Sequence, residues 1–228
     1  MNKSCVFLNE ILIILCLVII NNELFAQQKL NSSQKINSSI TSVQSDSSEI
    51  IIDSNLSYAE AISGINIPRA ILDQMELLTV QYYGFDGKLH LGQIVLNRNV
   101  VQDIKEIFEF IKETKFPVDK VTPISAYNWS DDESMKDNNT SAFNYRFISG
   151  SRVISQHAYG NAIDINPLQN PYVKNGKYLP DESSYNINKP GTITPWSGIV
   201  KEFKKRGWIW GGDWKSLKDY QHFEKKLK

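Results

Sequence analysis

The chain has 228 residues, 41% hydrophobic and 22% charged, with Lys plus Arg and Asp plus Glu both at 25. This profile excludes a chain disordered throughout and leaves room for one domain of ordinary size. Balanced charge gives no global field that would attract nucleic acid, so no nucleic-acid partner is expected.

At the N-terminus Lys3 precedes the apolar run ILIILCLVII, Ile11 to Ile20, followed by NNELFAQQ with small Ala26 as the cleavage residue. Residues 1–26 are read as a secretory signal peptide, and the product as secreted or periplasmic. The run is too short to cross a hydrocarbon layer roughly 30 Å thick, so no stable membrane insertion is expected after its removal. Leu15 is bulky where a small residue would precede a lipidated cysteine, which argues against lipid on Cys16. Cys5 and Cys16 both lie in this removable segment, so the mature product holds no disulfide.

Residues 27–57 are rich in Ser, Asn and Gln, with too little apolar content to offset chain entropy, and are expected to form a flexible linker. The folded domain is assigned to residues 58–228, and a monomer is expected. LSYAEAISG and PRAILDQMEL suggest short helices, with Pro68 near the start of the second. LTVQYYGFDGKLHLGQIVLN alternates about FDGK, the pattern of a hairpin. VVQDIKEIFEFIKET places Val101, Ile104, Ile107, Phe108 and Ile111 on one helical face. FPVDKVTPISAY predicts a further strand. A long polar stretch around NWSDDESMKDNNTSAFNYR then reads as a loop.

GNAIDINP predicts a strand, followed by a Pro- and Asn-rich excursion from Leu168 to Pro195. A helix from about Trp196 to Arg206 and short strands in GWIWGG and DYQHFE complete the chain. Helices and antiparallel hairpins in blocks give an α+β fold, a small antiparallel sheet with flanking helices.

The pleat of GNAIDINP sends Asn161, Ile163 and Ile165 to one face and Asp164 to the other. A carboxylate on a central strand needs a partner, either a cation or metal or a set of backbone donors. In DYQHFE, Tyr220, His222 and Glu224 share one face. His222 is thus a candidate ligand, together with His157 in SQHAYGNAID. His90, in KLHLGQ, has no acidic companion in its run and is read as structural. Two imidazoles and one carboxylate form a zinc set that leaves a fourth position for water. Such a site also needs a base. Asp219 serves if the chain bends at Asp219 and Tyr220; Glu224 faces the His222 side without a bend, and spacing alone does not separate them.

SQHAYGNAIDINP together with DYQHFE resembles the zinc D-alanyl-D-alanine carboxypeptidase family, which also holds D,D-dipeptidases and phage L-alanyl-D-glutamate endolysins. Ser155, His157, Gly160, Ala162 and Asp164 fit its Ser-x-His-x-x-Gly-x-Ala-x-Asp motif, and Asp219 and His222 its later Asp-x-x-His. NNTSAFNYR, NPYV and GWIWGGDW are similar to the VanY-like branch, so the resemblance runs from about Ile67 to Glu224. It implies a fold of the hedgehog/D,D-peptidase type, Zn2+ on His157, Asp164 and His222, and Asp219 as base. By the same resemblance Arg146 holds the substrate carbonyl as negative charge develops, a task suited to a fixed guanidinium. A surface ion pair is the alternative for Arg146.

Several carboxypeptidase members carry glutamate at the position of Asp219, and aspartate there is similar to the endolysin-type members. Ser155 and Trp210 are candidates for substrate binding, and Glu224 for support of the metal ligands. Trp208, Trp210 and Trp214 suit either a sugar-binding cleft or the core. The implied function is an exported zinc peptidase acting on peptidoglycan peptides, first as a D-alanyl-D-alanine carboxypeptidase. The alternatives are an L-alanyl-D-glutamate or cross-bridge endopeptidase and a non-catalytic, zinc-braced cell-wall binding domain.

Overall fold

A computed structural model describes residues 27–28 and 50–226 of the chain. The expected signal segment and residues 29–49 of the expected linker lie outside the described residues. Structure starts earlier than Tyr58: strand β1 (Ile51–Ile52) pairs in parallel with His90 and Leu91. The amide of Gln93 then holds the following turn, accepting from Ser54 Oγ at 2.8 Å and donating to the Leu56 carbonyl at 3.0 Å. The isoleucine run at 50–52 and this side-chain clamp outweigh the polar composition that suggested a linker up to residue 57.

Two short helices follow, α1 (Tyr58–Ala61) and α2 (Arg69–Leu72). Ser57 and Glu60 cap α1 reciprocally, and Pro68 directly precedes α2. The second helix stops before Met75, where the expected helix PRAILDQMEL turns into strand. The alternating segment forms β2 (Met75–Tyr83) and β3 (Leu89–Asn97), antiparallel from Met75↔Asn97 to Tyr83↔Leu89. Gly87 takes the left-handed turn conformation, φ 76°, that a side chain would resist. Helix α3 (Val101–Glu113) lays Ile104, Ile107, Phe108 and Ile111 against Val80, Tyr82, Ile94 and Leu96 of the hairpin. Each such side chain contributes about 2 kcal/mol of gross apolar burial.

The strand expected in FPVDKVTPISAY is reduced to β4 (Lys120–Val121), followed by a 3-10 turn at Ile124–Tyr127. The long polar stretch is not bare loop. Ser130 accepts from Glu133 N at 3.2 Å and caps α4 (Asp131–Lys136), and β5 (Asn139–Thr140) pairs in parallel with β4.

In the second half, β6 (Ala162–Asp164) precedes a small hairpin, β7 (Tyr172–Lys174) and β8 (Lys177–Leu179). Helix α5 (Gly198–Lys205), β9 (Ile209–Trp210), β10 (Lys218–Asp219) and β11 (His222–Glu224) complete the described chain. Strands β6, β11 and β9 form one antiparallel sheet in that order, and β10, β7 and β8 another. Phe203 of α5 stacks on Phe223 of β11, centroids 3.8 Å apart, and the hairpin, α3, α5, β6 and β11 share one core. The architecture is α+β. Instead of one small antiparallel sheet, however, the described residues form four small sheets, with parallel pairing at β1–β3 and β4–β5. Among the described residues no helix is long and apolar enough to cross a membrane.

Candidate metal centre

His157 is fixed by the short segment that runs beside it. Asn144 N donates to the His157 carbonyl and Ser155 N to the Arg146 carbonyl, both at 3.1 Å. Ser155 Oγ accepts from His157 N at 3.2 Å and opens the 3-10 turn Gln156–Tyr159. Gly160 ends that turn at φ 66°, and a Cβ there would stand 2.5 Å from Asn97 N. Only glycine fits both the backbone conformation and this approach to β3. The imidazole is buried, and its Nδ1 donates to the Ala142 carbonyl at 2.6 Å. This bond fixes the tautomer and leaves Nε2 as the coordinating atom.

Asp164 ends β6 and stands directly opposite His222 on β11. His222 Nδ1 lies 2.9 Å from Asp164 Oδ1, His157 Nε2 lies 3.2 Å from Asp164 Oδ2, and the two ring nitrogens are 3.2 Å apart. One ligand atom from each residue falls within 4.8 Å of the other two. The remaining nitrogen of His222, Nε2, lies 3.3 Å from Glu224 Oε2.

With both outward nitrogens donating, two imidazole lone pairs and a carboxylate converge on one buried point. That arrangement repels itself unless a cation or added protons occupy the centre. Donor set, burial and outer hydrogen bonds all fit a zinc ion. Without metal, protons take that place. Burial works to raise the Asp164 carboxyl, but the charges and hydrogen bonds of His157 and His222 outweigh it and hold it well below the usual carboxylate range. Burial likewise works to lower the His222 imidazole, and its hydrogen bonds to Asp164 and Glu224 overcome this, pushing it up to about 10.

Asp219 lies close enough to His222, Asp164 and His157 to feel their charges, and the chain changes neighbours just after it. Asp219 pairs with Tyr172 of β7, and Tyr220 N donates to the Pro171 carbonyl, whereas the Gln221 carbonyl accepts from Ile165 N. Between Tyr220 and Gln221 the chain thus exchanges one neighbouring segment for another. The Asp219 residue keeps some exposure, but its Oδ1 is enclosed without a partner. Burial pushes its carboxyl above the usual carboxylate range; Asp164 adds to the rise, and His222 and His157 oppose it. Gly211 backs it closely, since a Cβ at Gly211 would come 2.5 Å from the Asp219 carbonyl oxygen and 2.8 Å from its Cβ.

The other candidates divide. Arg146 is tied to the His157 turn through its backbone, while its Nη2 lies 2.8 Å from Asp131 Oδ2, so the guanidinium is ion-paired. Its Nε is enclosed without a partner, and Asp131 also accepts from Asn144 Nδ2 at 3.2 Å. Ser155 Oγ accepts from His157 N and so supports the turn of the ligand, which leaves its O–H donor for other use. Trp210 does not line a cleft. It is wholly buried in the core and donates from Nε1 to the Tyr220 carbonyl at 2.9 Å, because strand alternation turns it toward the core shared with α5.

Trp208 is buried as well, whereas Trp214 stands beside His222, ring centroids 5.3 Å apart. His90 is structural but has acidic companions after all, Asp53 at 3.0 Å and Asp86 at 3.2 Å. Asp86 lies in the hairpin turn itself, and Asp53 is brought near by the parallel pairing of β1. Sequence reasoning missed Asp131 and the Ala142 carbonyl. A backbone acceptor leaves no residue-type signal, and Asp131 lies in a stretch crowded with acids.

A sequence profile for a family described as D-alanyl-D-alanine carboxypeptidase matches residues 149–225. The peptidoglycan L-alanyl-D-glutamate endopeptidase CwlK of Bacillus subtilis (strain 168) is 43% identical over 70 residues, 31% of this chain and 38% of that protein. The chain thus spans well under half the length of this curated relative. No solved structure matches. The matched stretch, residues 149–225, is the one that carries His157, Asp164, Asp219 and His222.

Proposed function

We propose that this protein is an exported zinc peptidase that hydrolyses the stem peptides of peptidoglycan, acting as a D-alanyl-D-alanine carboxypeptidase. The observation that carries the reading is the convergence of His157, Asp164 and His222, with the enclosed, unpartnered Oδ1 of Asp219 close enough to feel their charges. The family description supports the carboxypeptidase assignment. The apolar run Ile11 to Ile20 supports export.

His157 Nε2, Asp164 and His222 Nδ1 would hold a zinc ion, which would supply Lewis-acid polarisation and acidify the attacking water. Asp219 takes the proton from the attacking water at its carboxylate and returns it to the departing amine, which suits a carboxyl whose burial raises its affinity for protons. Glu224 and the Ala142 carbonyl hold the two imidazoles in the tautomers the site requires. Arg146, ion-paired with Asp131, would meet the negative charge that develops on the substrate oxygen. The presence of Asp219 favours catalysis over a purely zinc-braced binding domain.

Two observations favour a second reading, an L-alanyl-D-glutamate endopeptidase. CwlK carries that activity in its name. In addition, the charge of Arg146, which a carboxypeptidase could direct at a terminal carboxylate, is already matched by Asp131. Purified muropeptides incubated with the zinc-loaded protein and weighed by mass spectrometry separate the readings. Loss of a single D-alanine upholds the carboxypeptidase, and two peptide fragments establish the endopeptidase. Intact muropeptides with zinc retained would leave only binding.

A further inference from the structure

The tryptophans of GWIWGGDW do not share one fate. Trp208 and Trp210 are core residues whose indole N–H groups donate to Asp103 and to the Tyr220 carbonyl. Trp214 is only half-buried, and its indole N–H donates to no described residue. Its ring lies against the imidazole of His222, centroids 5.3 Å apart and planes inclined by 50°. Both nitrogens of His222 are already held, by Asp164 and Glu224, so Trp214 adds no hydrogen bond to the ligand.

The turn that carries Trp214 is itself fixed against the base. Gly211 packs on Asp219, and Trp214 N donates to the Gly211 carbonyl at 3.2 Å. One short turn therefore carries both the glycine packed on Asp219 and a partly exposed indole set against His222. An indole left half in water next to a reacting centre gains by being covered with aliphatic surface.

We infer that Trp214 is a specificity-determining residue whose indole receives the side chain of the substrate residue that supplies the scissile carbonyl, and that this side chain is a small aliphatic one. The inference rests on the peptidase reading above, and the configuration of that residue, D or L, decides on which side its side chain stands. In both D-alanyl-D-alanine and L-alanyl-D-glutamate the residue on the acyl side is an alanine. Its methyl group is the surface Trp214 would cover.

The test uses the zinc-loaded full chain and pairs of synthetic stem peptides that differ only in alanine or glycine on the acyl side of the cut bond. Wild type is expected to favour alanine about fivefold in kcat/KM, the size of effect one half-enclosed methyl gives. Trp214→Ala should raise KM for the alanine peptide about tenfold, keep kcat within about threefold and treat both peptides alike. Trp214→Phe, which retains a flat apolar face, should restore the preference.

Zinc content is measured alongside. A Trp214→Ala protein that loses zinc and kcat while KM stands, or that prefers alanine as strongly as wild type does, overturns the inference and leaves the indole as a mere buttress of His222. Failure of wild type to cut either peptide sinks the functional reading instead. Calorimetric binding of the same peptides then decides the inference separately. Tenfold weaker binding of the alanine peptide by Trp214→Ala upholds it, and equal or absent binding by both proteins overturns it.

Discussion

His222 and Asp164 are directly opposed residues on antiparallel strands β11 and β6, with Nδ1 2.9 Å from Oδ1. Strand register therefore sets the distance between two of the three candidate ligands, and a slip of one residue in either strand would turn its ligand to the other face. Removing either should abolish the site without a compensating rearrangement. His222→Ala and Asp164→Ala are expected to drop zinc from one ion per chain to near none after dialysis, read by atomic absorption. A chelator should lower the melting temperature of wild type and leave that of either variant unmoved; retention of zinc by both variants would refute the assignment.

Asp219 differs from the ligands in having an enclosed oxygen with nothing to bind. Asp219→Asn preserves shape but removes the proton acceptor. Turnover of muropeptides should fall by about 10²- to 10⁴-fold while zinc content stays at the wild-type level. Undiminished turnover would assign the base elsewhere, with Glu224 the first residue to examine.

Glu224 is placed to act through His222 rather than on the substrate, its Oε2 lying 3.3 Å from Nε2. Glu224→Gln should weaken zinc affinity by about 10- to 100-fold in a competition titration with a chromogenic chelator. At saturating zinc, turnover should return close to wild type. A turnover defect that excess zinc does not repair would move Glu224 into the chemistry itself.

Asp119 offers a test of electrostatics away from the metal. Burial raises its carboxyl above the usual value, although Asn138 and Lys120 pull the other way. The folded form thus holds its proton to higher pH than the unfolded chain does. Its contribution to stability is complete below the unfolded value and declines as pH rises through the folded one. Asp119→Asn should therefore melt at a higher temperature than wild type at pH 7, with the gain vanishing near pH 3. A constant difference between the two proteins at both pH values would contradict this account.

Much of the centre was legible before any coordinates because its parts are local patterns. The alternation of GNAIDINP and DYQHFE fixes which side chains share a face, and the resemblance of their motifs joins segments far apart in the chain. The bend at Asp219 and Tyr220 followed from the same alternation, since no straight strand brings Asp219 to the side of His222. The hairpin about FDGK and the apolar face of α3 were equally plain. Alternation reveals which residues share a face but not what covers that face, which is why Trp210 suggested a cleft and proved to be core. The parallel pairing of β1 with β3 and of β4 with β5 involves two-residue contacts that leave no periodicity to read. Asp53, which completes the surroundings of His90, was hidden for the same reason.

Strand β1 has a mechanical consequence. Ile51 and Ile52 run parallel to His90 and Leu91, Asp53 N donates to the Leu91 carbonyl, and the Asp53 carboxylate is gripped by Tyr82 and His90. Tension arriving through the preceding chain along the strand axis would load these bonds together, in shear, rather than peel them off singly. The strain would fall on a hairpin that bears none of the three candidate ligands, so a pull on the leading end could be absorbed without parting them.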